Sequence, residues 1–109
     1  MSQPPQALHA LPPAVDTALR KLGTDLATAR QRRRQPLKAW AQRLQVSVPT
    51  LLRMEKGDAR VSMAVYATAL WLVNRHTALA EAADPRLDLA ALEAEVAQAQ
   101  RRHAPRAAP

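Results

Sequence analysis

A chain of 109 residues with a formal charge of +7 and no cysteine has room for one small domain with tails, without disulfides or thiolate metal sites. Apolar residues make up 48%, yet there is no Phe, one Tyr and two Trp, so the expected core is small, aliphatic and helped by dimerisation. No apolar run approaches the roughly 18 residues of a membrane span. The start MSQPPQALHALPP has no charged segment before an apolar one, so a cytoplasmic protein with no membrane partner is expected.

Residues 1–13 are rich in Pro, Gln and Ala and lack periodicity, which predicts a disordered arm, or one ordered only by a partner. A helix is expected from Ala14 to about Arg33, with Pro13 suited to its first turn and Val15, Leu19, Leu22, Leu26 and Ala29 on one apolar face. Gly23 in its middle costs about 1 kcal/mol against Ala, which suggests a close contact there. Leu37 to Leu44 reads as a second helix, with Leu37, Trp40, Ala41 and Leu44 inward. Gln45 and Val46 make a tight turn, and Ser47 caps a third helix from Val48 to about Glu55. Pro49 falls in the first turn, where its missing N–H is no loss, although a residue before proline avoids the α region and leaves Val48 half helical. Leu51 and Met54 point inward and Gly57 ends the helix.

Ser62 caps a fourth helix from Met63 to Val73, with Val65, Tyr66, Ala69, Leu70 and Val73 inward. A short fifth helix over 77–83 stops at Asp84–Pro85. Asp88 caps a last helix to about Arg102, whose seam of Leu89, Leu92, Val96 and Ala99 is too short for a coiled coil to be claimed. No segment alternates as a strand. The expected fold is therefore all-α: a compact five- to six-helix domain over 14–83, a C-terminal extension helix over 84–103 for a dimer or partner contact, and a disordered tail over 104–109.

Charge is unevenly placed. Eleven Lys and Arg face three acids from Arg20 to Arg60, whereas four Arg face five acids from Glu81 to Pro109. The middle of the chain is where a polyanion would dock. That same region holds two short helices joined by a turn of about three residues, the arrangement of a helix-turn-helix. Three requirements follow. Trp40, Ala41, Leu44, Val46, Leu51 and Met54 fix the angle between the helices. Ser47 and Thr50 present small side chains and donors to DNA phosphate at the tip of the second helix. Lys38, Arg43, Lys56 and Arg60 flank that tip to meet phosphates.

LQVSVPTLLRMEKGD followed by VSMAVYATALWLV resembles the Xre/Cro-type helix-turn-helix transcriptional regulators, whose pattern is matched by Leu44, Val46, Ser47, Thr50, Arg53, Glu55 and Gly57. LGTDLATARQRRR resembles the first helix of that family, and the likeness covers about residues 22–73. The resemblance implies a lambda-repressor-like fold, and a structural ion pair in which Arg30 holds Glu55. Leu37 stands where the family commonly has a Gln that contacts phosphate, Gln45 where it usually has Gly, and Lys56 where it commonly has Asn. EKGD with VYATALWLV and the later LAEAADPRLD is more narrowly similar to the HipB-like antitoxins, which implies a homodimer that represses its own operon and binds a HipA-type kinase toxin.

Arg53, one turn beyond Pro49 on the outer face, is the best candidate base reader, through a bidentate bond to guanine worth about 1–3 kcal/mol; otherwise it is a solvated or phosphate-bound arginine. Val48 and Pro49 offer apolar contact to a thymine methyl or simply fit the groove. Leu52 is a groove contact or part of a subunit interface. Arg32, Arg33 and Arg34 suit the negative end of the first helix and read as a solvated face more than a phosphate clamp. His9, His76 and His103 have no metal-ligand spacing, and no nucleophile–base pair, phosphate loop or carboxylate pair stands out. The chain is expected to be no enzyme and to need no metal or cofactor. Two readings remain: a sequence-specific repressor associated with the nucleoid, bound to double-stranded DNA as a homodimer, or an interaction module whose main role is to neutralise the kinase toxin.

Overall fold

A computed structural model of the chain describes residues 11–103. Among them are six α-helices and no strand: α1 (Pro13–Arg32), α2 (Leu37–Leu44), α3 (Val48–Glu55), α4 (Met63–Leu72), α5 (His76–Glu81) and α6 (Leu89–His103), with a 3-10 turn at Pro85–Leu87. The fold is all-α, as the absence of alternating segments requires. Residues 1–10 of the expected arm and the tail over 104–109 lie outside the described residues. Pro13 is already helical, one residue earlier than the periodicity indicated, with Pro12 at the cap. Backbone contacts divide the chain into two compact units, residues 1–77 and 78–109.

Among the described residues, the buried core lies in the first unit. Leu26, Trp40, Ala41, Leu44, Leu51, Met54, Val61, Tyr66, Ala69 and Val73 are buried together, and Trp40, Leu51 and Met54 are the largest side chains fully withdrawn from solvent. The inward sets read from α2, α3 and α4 supply eight of these ten. α3 packs on α1 and on α2, and α4 packs on α2. Val15, expected on the buried face of α1, is instead 42% exposed. The reason is length: α1 has 20 residues and spans about 30 Å, while the eight residues of α3 span about 12 Å. The end of α3 meets α1 at Leu19–Gly23, so Val15 overhangs by a turn.

The only two glycines of the chain face each other where α1 crosses the end of α3. A methyl group on Gly23 would lie 2.6 Å from the Gly57 amide nitrogen and 2.6 Å from the Met54 carbonyl oxygen. One on Gly57 would lie 2.5 Å from the Leu19 carbonyl oxygen, and Gly57 also has φ +76°. Backbone meets backbone here, and no side chain can fit between. This close approach sets the distance between α1 and α3.

Four helices end the same way, with a left-handed residue that folds two amides back onto the last turn. At α3 that residue is Gly57: its N–H reaches the Met54 carbonyl at 2.9 Å and the Asp58 N–H reaches Arg53 at 3.0 Å. At α2 it is Gln45, φ 58°, with Val46 N–H on Ala41 at 3.0 Å and its own N–H on Gln42 at 3.1 Å. Arg34 (φ 52°) ends α1 and Asn74 (φ 61°) ends α4 by the same pattern. Val48 is fully helical despite preceding Pro49; the Ser47 cap and its half-burial against the core hold it there.

The second unit contains most of α5, the 3-10 turn and α6. Asp84 caps the 3-10 turn, its Oδ1 accepting the Arg86 N–H at 2.9 Å, and Asp88 caps α6 by accepting the Ala91 N–H at 3.1 Å. No helix among the described residues is long and apolar enough to cross a membrane.

Candidate nucleic-acid interface

The orientation of α3 is fixed before any ligand arrives. Arg30 near the end of α1 donates from Nε to Glu55 Oε2 at 2.8 Å and from Nη2 to Glu55 Oε1 at 3.1 Å. Its Nη1 donates to the Gln35 carbonyl at 3.1 Å. The Arg30 and Glu55 side chains are only 12% and 8% exposed, so one guanidinium ties α1, the α1–α2 loop and the last turn of α3 in a low-dielectric spot. Below α3, the Tyr66 hydroxyl donates to the Asp58 carbonyl at 2.7 Å and pins the following loop to α4. Burial, with the nearby Asp58 charge, pushes the Tyr66 phenol above its ordinary range.

The same loop holds an Asx turn that the sequence reading did not single out. Asp58 Oδ1 accepts the Arg60 N–H at 2.8 Å, with the Arg60 Nε at 3.5 Å. The Arg60 amide, opposed by burial and aided by the guanidinium charge, holds the Asp58 carboxyl below its usual range. An Asp two residues before Arg60 is the sequence signal for it.

On the outer face, Pro49, Leu52, Arg53 and Lys56 are exposed and follow the helical spacing that puts them on one side of α3. Leu52 is 40% exposed. Val48, read as a base contact, is half-buried and packs against the core, so it presents only part of its surface at the tip. Ser47 and Thr50, read as phosphate contacts, are engaged with each other. Ser47 Oγ accepts the Thr50 N–H at 3.2 Å and donates to Thr50 Oγ1 at 3.0 Å, and Arg53 Nη2 donates to the same Thr50 Oγ1 at 3.1 Å. This chain of contacts leans Arg53 toward the N-terminal tip.

The tip offers fewer free amides than a helix start usually does. Pro49 has none, the Thr50 amide is taken by Ser47 Oγ, and the Leu51 amide bonds the Ser47 carbonyl at 3.0 Å. The Ser47 and Val48 amides are left. An anion at this end is therefore met mainly by side-chain cations.

Those cations are placed as follows. Lys38 is exposed in the first turn of α2. Arg43, in its last turn, lies over the Trp40 ring with its guanidinium carbon 5.3 Å from the ring centre. That stacking fixes the arginine stem while leaving its edge to solvent. Lys56 follows α3 at its cap, and Arg60, with its side chain 74% exposed, stands in the loop beyond. Lys38, Arg43, Arg53 and Lys56 have no carboxylate partner among the described residues, whereas Arg20 is bound to Asp16 at 3.0 Å and Lys21 to Asp25 at 2.6 Å on α1. The helix pair thus carries four cations without an acidic partner, and Arg32, Arg33 and Arg34 at the end of α1 are likewise without one. Arg33 donates to the Ala29 carbonyl at 2.9 Å, closing the end of its own helix. No family model matches the chain, and neither a curated protein nor a solved structure matches it.

Proposed function

We propose that the chain is a sequence-specific, double-stranded-DNA-binding repressor that acts as a homodimer on a near-palindromic operator. One observation carries this reading: a short helix, locked from behind by the Arg30–Glu55 pair, turns outward a side composed of Pro49, Leu52, Arg53 and Lys56, amid cations that lack acidic partners. A helix so held enters a major groove as a rigid body. Pro49 and Leu52 supply methyl contacts, Arg53 reads a guanine edge, and Lys38, Arg43, Lys56 and Arg60 meet phosphates. The half-sites lie about one helical turn, roughly 34 Å, apart. The chemistry is recognition rather than catalysis.

In its finer form the protein is an antitoxin that represses its own operon, as the likeness to the HipB-like regulators implies. The open apolar stripe of α6 favours a further protein contact, which a HipA-type kinase toxin would make under the alternative reading of a neutralising module. Footprinting on the chain's own promoter tests the repressor. Arg53→Ala is expected to relax base preference at one position per half-site, while Lys38→Ala weakens binding to all sequences alike. Equal losses on every sequence for both variants would remove Arg53 as a reader.

A further inference from the structure

We propose that α6 pairs antiparallel with the α6 of a second copy of this chain. All fifteen residues of the helix are exposed. A helix of that length is marginal in water without a packed face. Its apolar stripe is open: Leu89 is 69% exposed, Leu92 43% and Val96 56%. Leu89, Leu92, Glu93, Val96, Ala97 and Gln100 line a shallow groove along it. Met63 and Trp71 on α4 are uncovered as well, but α4 carries no charge that would say what covers them.

On α6 the charges do say so. Asp88, Glu93 and Glu95 stand at the N-terminal half, and Arg101, Arg102 and His103 fill the last turn. Glu93, Glu95, Arg101 and Arg102 make no ion pair among the described residues. A parallel pair would set acid beside acid and base beside base. An antiparallel pair sets each acidic half against the basic half of the other copy, and opposes the two helix dipoles favourably. One helix pair about 22 Å long is small against a standard interface, so the association depends on concentration. The inference deepens the homodimer in the repressor reading and rests on it for its biological use, but the association itself is measured without DNA.

Sedimentation of the full chain across a wide concentration range is expected to show a monomer–dimer equilibrium. Val96→Asp, an exposed position, is expected to weaken it at least tenfold with unchanged melting of the core. Glu93→Lys with Glu95→Lys makes the helix uniformly basic, and Arg101→Glu with Arg102→Glu makes it acidic. Each double variant alone is expected to be monomeric, and a mixture of the two to associate again. Because the natural chain has no cysteine, Leu89→Cys introduces a single thiol at the N-terminal end of the stripe. In an antiparallel pair the two thiols sit near opposite ends and do not cross-link, so a disulfide between two Leu89→Cys copies overturns the proposal. A monomer at every concentration, or a dimer untouched by Val96→Asp, overturns it too. A monomer that still footprints its operator sinks this pairing and leaves the repressor; a dimer that ignores DNA does the reverse.

Discussion

Arg30 makes three hydrogen bonds from one guanidinium, and two of them go to Glu55. Removing the carboxylate leaves that cation largely buried and unpaired, so Glu55→Ala is expected to cost about 3 kcal/mol, read as a fall in the thermal midpoint. Unchanged melting with lost DNA binding would mean that the pair serves recognition instead of structure. Asp58 offers a second residue-level test. Its folded pKa lies below the ordinary value of 3.8, so the charged form stabilises the fold above that pH and the contribution is lost as pH falls through the depressed value. Asp58→Asn is expected to melt below the natural chain at neutral pH, with the gap closing in acid under pH 3.8; a pH-independent gap would assign the effect to shape. Arg30 with Glu55 was legible because the two residues sit in a recurrent sequence pattern. The Tyr66–Asp58 tether was not, since a hydroxyl bonded to a backbone carbonyl leaves no trace in residue types. Ser47 was legible as a cap; the bond in which its hydroxyl donates to Thr50 Oγ1 was not.

Helix periodicity placed α2, α3 and α4 within a residue of their ends because each has a sharp signal at both sides: a serine or proline before it and a left-handed residue after it. The weak spots are where that residue has a side chain. Gln45 adopts φ 58° between the two helices of the motif, at a cost of roughly 1–2 kcal/mol against glycine. Its two cap bonds come from backbone amides and do not use the side chain, and the residue is exposed. Gln45→Gly is therefore expected to raise stability by about 1 kcal/mol, with the denaturant midpoint moving up and the slope unchanged. A loss of stability would show that unfolded-chain entropy outweighs the backbone strain at this turn. Gly57 admits no such change. It meets the backbone of α1 as well as adopting φ +76°, and so its pairing with Gly23 was visible only as an oddly placed glycine in α1 until the two helices were seen to cross.

At the scale of the whole molecule, every buried side chain among the described residues lies between Leu26 and Val73, inside the first compact unit, while the described part of the second contributes none. The uneven charge follows the same division, with the unpaired cations of α2 and α3 in the first unit and the self-complementary charges of α6 in the second. Stability and polyanion affinity should therefore travel together, and association separately. A chain ended after Thr77 is expected to unfold cooperatively within a few degrees of the full protein, since it keeps every described buried side chain. If the repressor reading holds, it binds a single half-site with a per-subunit salt slope like that of the full chain. For the full dimer, six to ten phosphate contacts would weaken binding by about 10³–10⁵ between 50 and 200 mM salt, and a single half-site shows about half that slope. Loss of cooperative unfolding on truncation would place part of the stability in residues 78–109. A truncated chain that folds normally and binds with no salt dependence would instead remove the basic helix pair as the DNA-binding surface.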